Sequence, residues 1–109
     1  IENASALILG ATFKENCPDL RNSKVVDVYR ELKEFGFEVD VYDPEADDVV
    51  FEHEYGFSKL PSIDKKYGVV ILAVSHDQFK TLDPKSILKE DGVVFDVKGF
   101  YKDKEFIYL

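Results

Sequence analysis

Two lysines and a phenylalanine are the side chains whose types and positions best suit ligand binding in this sequence. Phe13 and Lys14 follow an apolar run that stops at Gly10, and Lys98 follows the apolar run 93–97. If both runs are strands of a parallel sheet, their carboxyl ends meet at one edge, where ligands bind in such folds. Two ammonium groups suit an anion such as a diphosphate, and an aromatic ring suits stacking on a flat base. The pattern predicts an anion-binding site built from Phe13, Lys14 and Lys98.

The same three residues also have simpler interpretations. Lys14 and Lys98 are equally well placed to be solvated lysines in loops, since lysine is mostly an exposed residue. Phe13 is also placed to cover the core beneath a long loop, as apolar side chains in such loops often do. Residue spacing alone leaves these alternatives open.

The remaining reactive side chains indicate structural roles rather than chemistry. Cys17 has no histidine nearby in the sequence and is followed by Pro18, which favours a structural thiol over a nucleophile. Asp43, in an Asp-Pro pair, is most simply a helix N-cap, and His76 begins another predicted helix. Cys17, His53 and His76 lack the spacing of metal ligands. We therefore expect neither a catalytic residue nor a metal site in this chain.

The first turn lacks a dinucleotide-binding fingerprint. From Gly10 the sequence continues as Ala11-Thr12-Phe13-Lys14, without the later glycines of G-x-G-x-x-G. Those glycines let a pyrophosphate approach the backbone at a helix N-terminus. Any ligand here must therefore be bound by side chains as well as backbone, and an ordinary NAD site is not expected.

The hydrophobic pattern alternates between strands and helices along the chain. In the first helix, apolar residues recur at helical spacing and Gly36 stands where the helix would end in a left-handed conformation. The apolar residues that define this helix are Val25, Val28, Tyr29, Leu32 and Phe35. The predicted elements are strand 6–9, a helix from Asn22 or Ser23, strand 37–42, a helix from Asp43 toward His53, strand 69–74, short helices 76–81 and 84–90, strand 93–97 after Gly92, and an edge strand 106–109.

This alternation predicts the fold class. Continuous apolar strands separated by helices indicate a parallel sheet that is covered on both faces. The prediction is an α/β fold, a Rossmann-like three-layer sandwich with a mainly parallel sheet. A chain of 109 residues is the size of a single domain, 1–109, and is small for a complete enzyme.

Composition limits the classes of partner. There are 22 acidic and 14 basic residues, and the net charge of −8 disfavours broad contact with nucleic acid or an anionic membrane. The sequence contains no apolar run of membrane-spanning length and no visible signal peptide. A single cysteine fits a reducing cytoplasm. Because the chain begins at Ile1 and contains no methionine, we expect it to be part of a longer protein.

The segment LGATFKENCPDLRNSKV, residues 9–25, resembles the opening of the C-terminal, UDP-binding domain of the UDP-glucose/GDP-mannose dehydrogenase family. The later segments VYDP, VVILAVSHDQF and VVFDVKGFY follow in the order and spacing of that domain, so the resemblance covers nearly the whole chain. The first motif is specific, whereas the others would be weak alone. The sequence is most similar to the branch that oxidises UDP-N-acetylhexosamines.

The resemblance implies a part in the NAD-dependent oxidation of a sugar C6 alcohol to a carboxylate, as a step toward surface polysaccharide precursors. It implies that Phe13, Lys14 and Lys98 contact the UDP-sugar and that Arg21 faces NAD. At position 98 the sequence departs from the family pattern, since many UDP-glucose enzymes have arginine where Lys98 stands. The NAD-binding domain, the central dimerising segment and the catalytic cysteine of the family have no counterpart here. The resemblance thus implies a cytoplasmic homodimer of which this chain, inactive by itself, is one domain.

The same sequence features have alternative interpretations. A stand-alone nucleotide-binding or regulatory module without catalysis fits the same predicted site. Arg21 is also placed to form an ion pair with Asp19 or Glu15 that merely ties the loop. A receiver-like signalling domain has a similar length and topology, but it needs acidic residues after the first strand and a phosphorylatable aspartate after the third. Those positions hold Gly10-Ala11 and Ser75-His76, which argues against a receiver.

Overall fold

The computed structural model describes residues 4–12, 16 and 24–97 together with the backbone of residues 107–108. Within these residues a single sheet carries two α-helices and two 3₁₀ helices. The elements are β1 (Ser5–Leu9), α1 (Val25–Glu34), β2 (Glu38–Tyr42), α2 (Asp48–Tyr55), β3 (Tyr67–Leu72), 3₁₀ helices Asp77–Thr81 and Pro84–Ile87, β4 (Leu88–Asp96) and β5 (Ile107–Tyr108).

All strand pairs of the described sheet are parallel, and the strand order is β2-β1-β3-β4-β5. The winding therefore reverses between β1 and β3, the position at which ligands bind in doubly wound sheets. Every residue of β1 is buried, because this strand is central and is covered on both faces. The predicted α/β class, the parallel sheet and the pairing of the C-terminal segment at one edge are confirmed.

Two apolar clusters cover the two faces of the sheet, which gives the three layers. Alternate residues of β1 point to opposite clusters, since successive side chains of a strand alternate between faces. One cluster contains Ala6, Ile8, Ala11, Val25, Val39, Val41, Ala46, Phe51 and Val74, with Tyr29 and Leu32 of α1 packed against it. The other contains Leu7, Leu9, Tyr67, Val70, Leu72, Phe79, Ile87 and Val94.

The predicted apolar face of α1 is only partly correct. Val25 is buried, and Tyr29 and Leu32 pack against the core, but Val28 is 39% exposed and Phe35 is 79% exposed. Phe35 lies beyond the end of α1 at Glu34, as its C-cap residue. Gly36 has the expected positive φ of 94°. The N-cap of α1 is Lys24, whose side chain makes no capping hydrogen bond, so the predicted N-cap at Asn22 or Ser23 is wrong.

The helix predicted to begin at Asp43 begins later. Asp47 is the N-cap of α2, and its side chain accepts a hydrogen bond from the backbone N–H of Val50 at 3.0 Å. Asp43 does not cap this helix, because both of its carboxylate oxygens are used closer to the sheet.

The strand predicted to follow Gly92 begins before that glycine. β4 extends from Leu88 to Asp96, so the second short helix ends at Ile87 rather than at residue 90. The register of β4 against β3 shifts at this point, from Tyr67↔Leu88 to Val69↔Val93. Gly92 lies at this irregularity. A side chain would not fit there without a shift, because a Cβ atom at residue 92 would lie 2.8 Å from the Lys89 carbonyl oxygen.

Candidate functional site at the carboxyl ends of the strands

The carboxyl ends of the first four strands are joined by backbone hydrogen bonds. Gly10 N–H donates to the Tyr42 carbonyl at 2.9 Å, and Ala73 N–H donates to the Leu9 carbonyl at 2.9 Å. Val97 N–H donates to the Leu72 carbonyl at 3.2 Å. The segments that follow β1, β2, β3 and β4 therefore leave the sheet at one edge, as the sequence predicts.

Gly10 allows the first turn to leave the sheet tightly. Its φ is +93°, and a Cβ atom at this position would lie 2.6 Å from the Cβ of Val74. Such a backbone conformation and such a close approach both require the absence of a side chain. Gly10 thus lets the start of the β1–α1 loop (the segment 10–24 between these two elements) pass close to Val74, just beyond the end of β3.

Asp43 is the buried acceptor to which the start of this loop is attached. It is 1% exposed, and its Oδ2 accepts hydrogen bonds from the backbone N–H of Ala11 at 2.5 Å and of Thr12 at 3.2 Å. Its Oδ1 accepts from the backbone N–H of Glu45 at 2.8 Å and of Ala46 at 3.1 Å. One carboxylate therefore stabilises both the β1–α1 loop and its own turn after β2.

The environment of Asp43 favours its charged form. Burial by itself would raise the pKa of the Asp43 carboxyl, but the hydrogen bond from His76 and those from backbone N–H groups outweigh it. The net result is a pKa below the ordinary value of 3.8. Asp43 is therefore a carboxylate at neutral pH, with its oxygens already accepting internal donors.

His76 occupies the corresponding position after β3 and is completely buried. Its Nε2 lies 3.0 Å from Asp43 Oδ2 and 3.3 Å from Thr12 Oγ1, and its Nδ1 accepts the backbone N–H of Asn16 at 2.8 Å. Because Nδ1 is an acceptor, the ring proton is on Nε2, where it is donated to Asp43. His76 is also the N-cap residue of the 3₁₀ helix Asp77–Thr81, in agreement with the predicted helix start.

Asn16 forms the second connection between the loop and the end of β3. Its φ of 57° lies in the left-handed region, which asparagine adopts more readily than most residues. Its side-chain Oδ1 accepts the backbone N–H of Asp77 at 2.8 Å. Residue 16 therefore contacts both His76 and Asp77.

Lys59 supports the turn that carries Asp43 from the other side. Its Nζ donates to the Asp43 carbonyl at 2.7 Å and to the Ala46 carbonyl, and it lies 3.2 Å from Asp48 Oδ1. The Lys59 side chain is only 13% exposed. This largely covered lysine therefore holds the turn after β2 in place.

These contacts do not fit an NAD site of the Rossmann type. In that fold, glycines of the first turn admit the pyrophosphate and a later acidic residue binds the ribose. Here Asp43 is buried and binds Ala11 and Thr12, so it presents no free oxygen to a ribose. Among the described residues there is also no cluster of three or more His, Cys, Asp or Glu side chains suited to a metal ion.

A separate pocket of about 310 Å³ lies beside the end of β2, on the face opposite α1. Its described lining combines the rings of Tyr42 and Phe79 with small polar and aliphatic groups. The lining residues are Tyr42, Pro44, Ser62, Ile63, Gln78, Phe79, Thr81 and Leu82.

The predicted ligand-contacting residues Phe13, Lys14, Arg21 and Lys98 lie outside the described residues, as does Cys17. Their roles stay predictions. The described residues next to two of them are placed by the structure. Thr12, which precedes Phe13, is 1% exposed, and Val97, which precedes Lys98, directly follows β4.

Sequence reasoning missed the connection between Asp43 and His76. By its local sequence, each of the two residues predicts only the start of a helix. The available signal is two polar residues capable of pairing, one directly after β2 and one four residues after β3. Their contact joins residues 33 positions apart, which local spacing does not reveal.

Comparison with known proteins identifies the family. Residues 7–103 match the model of the UDP-glucose/GDP-mannose dehydrogenase family, UDP binding domain. The chain belongs to this family and corresponds to that domain.

Curated relatives include UDP-N-acetyl-D-glucosamine 6-dehydrogenases. The protein from Pseudomonas aeruginosa is 44% identical over 104 residues, which are 90% of this chain and 24% of that protein. The protein from Salmonella typhi is 39% identical over 109 residues, 99% of this chain and 23% of that protein. Protein CapL of Staphylococcus aureus is 40% identical, over 96% of this chain and 26% of its own length. The chain thus spans about a quarter of the length of these relatives.

Solved structures share the fold. A UDP-glucose dehydrogenase from Pyrobaculum islandicum matches 99% of this chain and 25% of its own, with a TM-score of 0.68 and 28% identity. A UDP-N-acetyl-mannosamine dehydrogenase from Staphylococcus aureus matches 99% of this chain and 26% of its own, with a TM-score of 0.74. At 23% identity, the second match supports the fold alone.

Proposed function

We propose that this chain binds the UDP part of a nucleotide sugar as one domain of an NAD-dependent nucleotide-sugar 6-dehydrogenase. The observation that carries the proposal is the match to the family's UDP binding domain over residues 7–103. The anchored loop after β1 agrees with it, because this loop leaves the sheet where the winding reverses. The substrate is a UDP-N-acetylhexosamine or UDP-glucose, and the product is the corresponding uronic acid.

Within this proposal, Phe13, Lys14 and Lys98 bind the UDP-sugar. Lys14 follows β1 and Lys98 follows β4, and these strands are separated by β3 alone. Next-nearest strands lie roughly 10 Å apart, so two long lysine side chains are able to reach one diphosphate. Phe13 contacts the flat base or the sugar beside it.

The remaining assignments concern the longer protein. Arg21 faces NAD, which is bound mainly by a separate N-terminal domain, and its planar guanidinium suits phosphate or carboxamide oxygens. The catalytic cysteine and the dimer contacts also belong to other domains. The described helices include none long and apolar enough to cross a membrane. We assign the homodimeric enzyme to the cytoplasm, where it would provide precursors of surface polysaccharide.

Calorimetric titration of this chain with UDP tests the proposal. Each lysine that contacts the diphosphate contributes a charge-assisted hydrogen bond of roughly 1.5–3 kcal/mol. We therefore expect Lys14→Ala and Lys98→Ala each to weaken UDP binding by about 10- to 100-fold. Lys66→Ala is the matched control, because Lys66 is exposed and precedes the opposite end of β3. Equal UDP affinity in all three variants would contradict the assigned site.

A further inference from the structure

We propose that His76 is a positioning residue that sets the conformation of the UDP-binding loop by accepting the Asn16 N–H at Nδ1 while donating its Nε2 proton to Asp43. This inference rests on the proposed function, since it concerns the same loop. Its physical basis is independent of any ligand, because it lies in the contacts of His76, Asp43 and Asn16.

The loop segment that carries Phe13 and Lys14 is attached at both of its ends. On the N-terminal side, the backbone N–H groups of Ala11 and Thr12 are bound to Asp43. On the C-terminal side, the backbone N–H of Asn16 is bound to His76. Residues 13–15 are thus the three residues between two anchored positions, and the two anchors are themselves hydrogen-bonded to each other.

The chemistry of the anchors requires one form of the imidazole. A backbone N–H is only a donor, so the Nδ1 atom that it contacts must present a lone pair. The single ring proton is then on Nε2, 3.0 Å from the Asp43 carboxylate. The low pKa of Asp43 keeps this acceptor charged. His76 therefore donates to the Asp43 carboxylate and accepts from the Asn16 N–H. Because both nitrogens belong to one rigid ring, the directions of the two hydrogen bonds are fixed relative to each other.

Groups from several elements hold the ring itself. Thr12 Oγ1 lies 3.3 Å from Nε2, and the Phe79 ring packs with its centroid 5.5 Å from the imidazole centroid. The side chain of Asn16 adds a second bond to the same corner through the Asp77 N–H. The left-handed conformation of Asn16 is thus stabilised by both its backbone and its side-chain contacts.

This arrangement should matter for affinity because it limits the conformations of the loop before ligand arrives. A binding segment that is ordered in advance loses less conformational entropy on binding. Without the acceptor at Nδ1, residue 16 would keep its side-chain bond to the Asp77 N–H but lose its backbone bond to His76. We expect a loss of about 10-fold in UDP affinity, comparable with freeing one ordered residue.

Two substitutions separate the two functions of the ring. In His76→Asn, the amide oxygen takes the place of Nδ1, so the Asn16 N–H keeps an acceptor while Asp43 loses its donor. In His76→Gln, the amide nitrogen takes the place of Nε2, so Asp43 keeps a donor while the Asn16 N–H loses its acceptor. The same two changes at His53, whose side chain is 87% exposed, provide matched controls.

The proposal predicts that UDP affinity follows the Asn16 contact rather than overall stability. Calorimetry should show affinity within about 2-fold of wild type for His76→Asn and a loss of about 10-fold for His76→Gln. Thermal unfolding of both variants should show that the loss of UDP affinity in His76→Gln is not explained by a lower melting temperature than that of His76→Asn. If affinity instead falls in parallel with melting temperature in both variants, His76 has only a general structural role.

NMR of the wild-type imidazole provides a test that does not depend on variants. Long-range ¹H–¹⁵N correlation spectra should show the Nε2–H tautomer, and the Asn16 amide should exchange slowly with solvent. A proton on Nδ1, or rapid exchange of the Asn16 amide, would overturn the inference. Absence of UDP binding by the wild-type chain would overturn the proposed function as well, whereas full binding by folded His76→Gln would overturn this inference alone.

Discussion

Gly10→Ala is expected to lower the free energy of unfolding by about 3 kcal/mol. The added Cβ would lie 2.6 Å from the Val74 Cβ and 2.9 Å from the Val74 backbone N and O. Relief requires movement of the backbone where β1 and β3 are held together by hydrogen bonds from Ala73 and Val74 to Leu9. Urea unfolding, followed by circular dichroism, measures the change.

Gly36→Ala is a closely matched control for this prediction. Gly36 has a φ of +94°, almost the same as the +93° of Gly10, but a Cβ atom there meets nothing within 4 Å. Its substitution should cost only the strain of a left-handed residue, about 1 kcal/mol. The difference between the two variants isolates the close approach of Gly10 to Val74. If both variants lose equal stability, that close approach does not contribute.

Asp43→Asn is expected to lower the free energy of unfolding by about 3 kcal/mol at neutral pH. The amide has one oxygen, whereas each carboxylate oxygen of Asp43 accepts two backbone N–H groups. Whichever way the amide turns, its NH₂ group faces donors, and two buried backbone N–H groups lose their acceptor. Asp64→Asn, at an exposed position, should change stability by less than about 0.5 kcal/mol.

The same substitution should also change the pH dependence of stability. The Asp43 pKa is lowered in the folded protein, so the unfolded chain binds more protons as the pH falls through the ordinary value of 3.8. Stability therefore rises with pH in that range. The stability difference between wild type and Asp43→Asn should be constant above about pH 5 and shrink below about pH 4. A difference that stays constant down to the acid limit would contradict a charged Asp43.

The strands were predictable because their local pattern and their burial agree. SALIL of β1 is apolar almost throughout since both faces of a central parallel strand are covered. β3 begins two residues earlier than predicted, at Tyr67, because Gly68 interrupts the apolar run without interrupting the strand. It also ends two residues earlier, at Leu72, and the N–H groups of Ala73 and Val74 beyond its end both donate to the Leu9 carbonyl. The sequence does not predict the order of the strands within the sheet. A parallel sheet in a chain of this length has few possible strand orders, however.

The start of α2 illustrates where local signals compete. The Asp43-Pro44 pair predicts a helix N-terminus at residue 43, whereas the observed N-cap of α2 is Asp47. The fold uses Asp43 to bind Ala11 and Thr12, 32 and 31 residues away, which leaves Asp47 to cap the helix. The role of Asp43 depends on the neighbouring strand, and no pattern within residues 40–50 contains that information.

The meeting of the strand ends at one edge of the sheet was predictable, but the hydrogen bonds that connect them there were not. Strand ends identified the edge at which Thr12, Asp43 and His76 meet. The buried hydrogen bonds among them arise from tertiary packing, so they required the structure. Phe13, Lys14, Arg21 and Lys98 remain assignments that follow from family resemblance.

Chemical-shift mapping of UDP on the ¹⁵N-labelled chain tests the central claim most directly. If UDP binds at the carboxyl ends of β1 and β4, the largest amide shifts should occur in residues 10–16 and 96–99, with smaller ones at 75–77. The pocket beside β2 offers a contrast, because Ser62, Ile63 and Leu82 line it, whereas the start of the β1–α1 loop is bound to Asp43 and His76. Shifts confined to residues such as 62, 63 and 82, with residues 10–16 unchanged, would contradict the UDP site.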